Sequence, residues 1–281
     1  MRFVQPLEIS QVDIFDAISL AKNPPRRGHM VAARPQVLEA YTAYQEAVPE
    51  VGQLALSNLT EDQKEAMHHA YAVATKPMTS LRTELLKRVI VSRCPFCSIN
   101  ESSTLDHYLP KENYPEFSVL PNNLVPSCPA CNTKKRDLIL ERGTNVRMFL
   151  HPYFDSIPEL PFLDVQIRVA LNALIMSYSI VQPQGMPPET FQHISAHFRE
   201  LDLANRYRIM GLEHLGDQYP ALSRVYGVNH DSARVVEKLL EISDDIHFMR
   251  GPNYWLAKMY KALAENQEFC DGGFEVLRPD M

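Results

Sequence analysis

Apolar residues recur three and four positions apart over much of the chain, the spacing of helices that bury one face. This periodicity predicts helices over 36–47 and 60–75, the second opened by Thr60, Glu61 and Asp62 as cap and acidic first turn. Pro77 is expected to break that helix. A further helix is expected over 81–92, with Leu81, Leu85, Leu86 and Ile90 on one face. The first thirty residues, with Pro24-Pro25-Arg26-Arg27-Gly28 among them, read as an irregular arm carrying one short helix over 12–21. Residues 93–150 lose the helical period until Asn132 and are rich in Pro, Asn and Ser. Beyond them, 165–170 and 174–180 flank a turn at Leu171-Asn172, the signature of a β-hairpin. Helical spacing then returns over 187–201, 205–215, 231–247 and 253–265.

The expected fold is therefore mainly α, with a small, irregular ββα island in the middle and a short hairpin after it. Three regions follow: a helical stretch over 1–90, the central module over 91–150, and a hairpin with a helical extension over 151–281.

Composition changes this picture little. With 281 residues, 45% hydrophobic and 22% charged, the chain can bury a large core. No apolar run approaches the roughly 20 residues needed to cross a bilayer. The opening MRFVQPLEIS lacks a charged-then-apolar leader pattern, so a cytoplasmic protein with no membrane association is expected. Charge is more informative by region than in sum. The net charge of −6 divides into −2 over 1–81, +3 over 82–147 and −7 over 148–281. A basic island on an acidic body suits a local phosphate contact, not a general coating of nucleic acid.

That island also holds four of the five cysteines. Cys94-Pro95-Phe96-Cys97 and Cys128-Pro129-Ala130-Cys131 are two C-x-x-C pairs separated by 30 residues. Two thiolates on a tight turn can take adjacent corners of a tetrahedron, and two such turns close a structural zinc site. A redox pair or coincidental thiols are the alternatives. The remaining Cys270 reads as a buried thiol, not a nucleophile.

Around the cysteines lie Leu105-Asp106-His107-Tyr108-Leu109-Pro110, then Asn122-Asn123-Leu124, then Asn132 leading into Thr133-Lys134-Lys135-Arg136. In this order, over about 45 residues from Cys94 to Asp137, the chain resembles the HNH family of ββα-metal nucleases. The resemblance implies an endonuclease that hydrolyses DNA phosphodiester bonds. His107 would be the general base, and Asp106 and Asn132 would hold a catalytic Mg²⁺ or Mn²⁺ beside the structural Zn²⁺. Asn123, or the adjacent Asn122, would hold the loop and orient the base. Lys134, Lys135 and Arg136, in the first turns of a helix opened by Asn132, would contact backbone phosphates.

More loosely, His151-Pro152-Tyr153-Phe154-Asp155 and the run from His197 to Arg206 resemble the nuclease component of Septu-type antiphage systems and some retrons. That likeness implies a partner ATPase, and the chain itself has no G-x-x-x-x-G-K-[ST] and no G-x-S-x-G.

Several of these residues have plainer readings. Asn132 also suits a helix cap, the basic run a solvated face, and His151 a core position. His193 and His197, four apart with no Glu of an H-E-x-x-H pattern between them, read as a structural pair. His68-His69 carries no signal. For the chain as a whole the rival to an enzyme is a non-catalytic zinc-held module that binds nucleic acid or protein.

Overall fold

A computed structural model describes residues 3–89, 93–171 and 173–278. Ile90, Val91, Ser92 and Asn172, which figure in the expected helix, module boundary and turn, lie outside the described residues. The chain divides into two compact units, Met1–Ser156 and Ile157–Met281. Residues 1–150 thus share one unit, which also takes in His151 to Asp155.

The first unit contains α1 (Gln11–Leu20), α2 (Arg26–Ala47), α3 (Glu61–Ala72) and α4 (Lys76–Lys87). It continues with β1 (Thr104–His107), β2 (Leu124–Ser127) and α5 (Pro129–Lys135). Helix α3 begins where its cap residues place it: the Thr60 side chain accepts from Gln63 N, and Gln63 Oε1 accepts from Thr60 N at 2.9 Å.

One proline-based expectation fails here, and one helix starts earlier than its spacing suggests. Pro77 does not separate helices but lies in the first turn of α4, where a missing N–H costs nothing. Helix α2 starts ten residues before position 36, directly after Pro25, and runs through Pro35. The carbonyl that Pro35 leaves unserved belongs to Val31, which is 52% exposed and so on a wet face.

Strands β1 and β2 pair antiparallel from Thr104↔Ser127 to His107↔Leu124. This register puts Cys128 immediately past the end of β2, and Cys128 is the N-cap of α5. The helix therefore opens at Pro129, not at Asn132, and Lys134 and Lys135 fall in its last turn with Arg136 as C-cap. Beneath the sheet lies an aromatic core in which Tyr44, Tyr108, Phe117, His151 and Tyr153 are all nearly inaccessible. Arg147, 2% exposed, ties it off through Asp155 at 2.6 Å and Glu50 at 2.9 Å.

The second unit contains the expected hairpin, β3 (Leu163–Ala170) paired with β4 (Ala173–Ile180). Helices α6 (Pro188–Glu200), α7 (Leu203–Tyr226), α8 (Ser232–Arg250), α9 (Trp255–Ala264) and α10 (Gln267–Cys270) follow. The spacing underestimates α7, which continues through Pro220. The carbonyl lost there is that of Gly216, whose Cβ-free position has open space around it. Gly211 serves a different end. A Cβ there would meet Met176 Sδ and Met259 Sδ at 3.0 Å, so glycine lets α7 approach both β4 and α9. His193, His197 and Cys270 are buried, as expected of structural residues. Among the described residues no helix is long and apolar enough to cross a membrane.

Candidate metal centre and the adjoining Asp-His strand

The four cysteines of the two C-x-x-C pairs converge. Their sulfurs all lie within 4.8 Å of one another, and Cys97 Sγ and Cys128 Sγ are 3.9 Å apart. A disulfide needs about 2.05 Å. A tetrahedral ZnS₄ centre, with bonds of about 2.3 Å, has sulfur–sulfur edges of about 3.8 Å. The thiols are at most 1% exposed, which leaves no opening for substrate. These donors fit a metal ion such as zinc in a closed structural site.

Local geometry explains the convergence. In the first pair, Ser98 N donates to Cys94 O at 2.7 Å and Cys94 N to Asn100 O at 2.8 Å. Ser98 takes φ 58° to close that turn. In the second pair, the first helical turn after Pro129 carries Cys131 N to within 3.4 Å of Cys128 Sγ. Hydrogen bonds among the thiols hold Cys97 and Cys128 below the ordinary cysteine range and push Cys94 and Cys131 above it. Only a cation lets all four ionise together.

Strand β1 sends alternate side chains to opposite sides. Thr104 and Asp106 face α5. Thr104 Oγ1 accepts from Asn132 Nδ2 at 3.4 Å, and Asp106 Oδ2 lies 3.1 Å from Lys135 Nζ. Asn132 and Lys135 are three apart on the helix and so share this face. Asp106 is 3% exposed and Lys135 2%. Burial raises the Asp106 pKa to about 6, against the opposing pull of Lys135. Asp106 Oδ2 still lacks a hydrogen bond of good geometry. Lys135 Nζ instead donates to His107 O at 2.8 Å.

His107 points the other way. Its Nε2 lies 3.0 Å from Ser118 O, and its ring packs edge-on against Tyr71 of α3 with centroids 4.3 Å apart. A carbonyl only accepts, so Nε2 carries the hydrogen and the Nδ1 lone pair is the basic site. Burial lowers the His107 pKa to about 3, opposed by the Ser118 bond and assisted by Lys111 and Lys135. The imidazole is neutral at any physiological pH.

Asn123, to which the resemblance gives the task of holding the loop, is wholly buried and uses its full hydrogen-bonding capacity inside the protein. Oδ1 accepts from Leu109 N at 2.7 Å and Tyr44 Oη at 3.4 Å, and Nδ2 donates to Leu109 O at 3.0 Å and Phe117 O at 3.3 Å. It fixes the loop whose next carbonyl, that of Ser118, accepts from His107 Nε2. Asn122 turns instead to Gln45, at 3.2 Å. Lys135, grouped with the phosphate contacts, is a buried partner of Asp106; only Lys134 and Arg136 of that run are exposed.

His151 is a core residue. Its Nδ1 accepts from Tyr153 N at 3.2 Å, its Nε2 meets Tyr44 Oη at 3.0 Å, and burial holds its pKa well below the ordinary value. Sequence reasoning missed Tyr71, Ser118 and Lys135 as neighbours of the Asp-His pair. Nothing local marks the first two. The three-residue offset from Asn132 is the signal that identifies Lys135.

Asp106, 3.1 Å from the Lys135 ammonium, and Asn132, beside Thr104, are the oxygen-bearing side chains on the facing surfaces of β1 and α5.

No protein-family model matches the chain, and no solved structure matches it. It is similar to Protein ea31 of Escherichia phage lambda, 30% identical over 192 residues. That stretch covers 64% of this chain and 64% of the phage protein, less than two thirds of the relative's length.

Proposed function

We propose that this protein is a metal-dependent endonuclease that hydrolyses DNA phosphodiester bonds, with the β1–β2–α5 segment as its ββα-metal active site. The observation that carries this reading is the neutral, tautomer-locked His107 beside a buried, under-compensated Asp106 on a strand anchored by four thiols. In the reaction, Nδ1 of His107 takes a proton from water as its oxygen attacks phosphorus. Asp106 and Asn132 would hold a Mg²⁺ or Mn²⁺ ion, which would supply positive charge against the phosphate and the departing oxygen. A phosphate brought beside His107 raises its proton affinity, countering the effect of burial. Asn123 keeps the Ser118 carbonyl in place. Lys134 and Arg136 contact backbone phosphates, which positions the strand without reading its sequence.

A non-catalytic binding module is the second reading. It is favoured by the closure of Asp106 beneath Lys135, as in an ordinary buried ion pair. Incubation with supercoiled plasmid separates the two. The nuclease reading expects Mg²⁺-dependent nicking, abolished by EDTA, with 5′-phosphate and 3′-hydroxyl ends. Binding without strand breakage at any divalent-ion concentration would support the module and overturn the nuclease.

A further inference from the structure

His107 leaves β1 on the side where α3 and α4 pack, and Tyr71 of α3 covers it. The Tyr71 ring has a second neighbour. The His107 ring centre lies 4.3 Å from that of Tyr71, and the guanidinium carbon of Arg82, on α4, lies 4.5 Å from it. The guanidinium is therefore within about 9 Å of the imidazole. Tyr71 is itself fixed to the strand, because its hydroxyl donates to Leu105 O at 3.2 Å.

Part of Arg82 serves the fold. Its Nη2 donates to Tyr71 O in the last turn of α3, where a cation suits the helix end, and its Nε is enclosed. The side chain is only half-buried, which leaves Nη1 as the end that meets solvent. Among the described residues no carboxylate pairs with Arg82. The charges around it are cations instead: burial, then Arg26 and Arg82, lower the pKa of Lys22. Arg26 is matched by Glu65, and Lys22 gives two of its donors to His69 O and Val73 O. The other ammonium that acts on His107 from this side, Lys111, is tied to Glu112. Arg82 is thus the cation near the base that lacks an anion.

We infer that Arg82 is a substrate-binding residue, whose Nη1 end holds the scissile phosphate or its immediate neighbour on the strand. The inference rests on the phosphodiester reading of His107 and adds to it a binding group on the side where the imidazole emerges. A guanidinium suits the task, because its planar donors match phosphate oxygens and it is weakly hydrated. Resting on the Tyr71 face and bound to the Tyr71 carbonyl, it is ordered before the strand arrives, so little freedom is lost on binding.

The test is the affinity of the full chain for a short fluorescein-labelled DNA duplex, read by anisotropy over a series of KCl concentrations without added divalent ion. Arg82→Gln should lower the slope of log affinity against log salt by about 1, and Arg82→Lys, which keeps the charge, should retain it. Loss of a purely structural cap would leave the slope unchanged. Zinc content and circular dichroism identify a variant that has unfolded. If Arg82→Gln unfolds, the wild type decides: the enclosed Arg82 Nε–H, assigned in nitrogen-15 spectra by its absence from Arg82→Lys, should shift saturably as duplex is added. Mg²⁺-dependent plasmid nicking by the wild type is measured alongside. Nicking with an unchanged slope in folded Arg82→Gln, or with an unmoved Nε–H signal where that variant unfolds, overturns the inference and leaves the nuclease reading standing. Binding without nicking, with the slope still reduced, keeps Arg82 as a phosphate contact and removes the nuclease. No binding of DNA by the wild type removes both.

Discussion

Replacing Lys135 with Met tests the joint between α5 and β1. The substitution keeps most of the buried stem and removes the ammonium that stands 3.1 Å from Asp106 Oδ2 and 2.8 Å from His107 O. Both partners of the pair are nearly inaccessible, so solvent cannot replace the lost charge. Breaking such a pair from one side costs about 3–5 kcal/mol, a large fraction of the roughly 5–15 kcal/mol that stabilises a domain. Urea denaturation at pH 7, followed by near-ultraviolet circular dichroism, measures the loss. The double variant Asp106→Asn/Lys135→Met removes the stranded charge and should recover at least about 2 kcal/mol, leaving mainly the bond to the His107 carbonyl unmade.

The pH dependence has a definite sign. Asp106 titrates at about 6 in the fold against 3.8 ordinarily, so the native state binds the extra proton between those values. Its contribution therefore becomes more favourable as pH falls from about 6 toward 3.8. Without Lys135 that window moves upward, and the deficit of Lys135→Met should shrink between pH 7 and pH 5. A loss below about 1 kcal/mol at pH 7, or no recovery in the double variant, would refute the buried-pair account.

Three further outcomes follow from the same geometry. Cys131→Ala should lose the bound zinc, measured by atomic absorption, and unfold the β1–β2–α5 segment, read by amide exchange, while β3 and β4 keep their protection. Asn123→Ala strands Leu109 N–H and Leu109 C=O in the core, Phe117 O keeping the Leu120 N–H, and should cost about 2–4 kcal/mol in denaturation, with zinc retained. Lys134→Ala/Arg136→Ala should reduce the slope of log affinity for DNA against log salt by about 2, whereas an unchanged slope would remove both from the interface.

What was legible in the sequence was what chemistry confines to short spacings. The cysteine pairs, the Asp106-His107 step on a strand and the Thr60 cap each express geometry set within a few residues. The hairpin and the paired buried histidines of α6 were readable for the same reason. What failed depended on packing between distant elements. Lys134-Lys135-Arg136 reads as a uniform basic run; only the docking of α5 against β1 sends Lys135 inward while its neighbours stay outside. Pro77 reads as a break, yet it occupies the first turn of α4, where the missing N–H is tolerated.

In the proposed hydrolysis His107 is the base. Plasmid nicking should be compared between the wild-type chain and His107→Ala, each shown to hold one zinc per chain and to have the same circular dichroism. A rate in Mg²⁺ that falls by at least about 100-fold on loss of the imidazole is the predicted result. Equal rates in the two proteins, or no cleavage by the wild type, would contradict it.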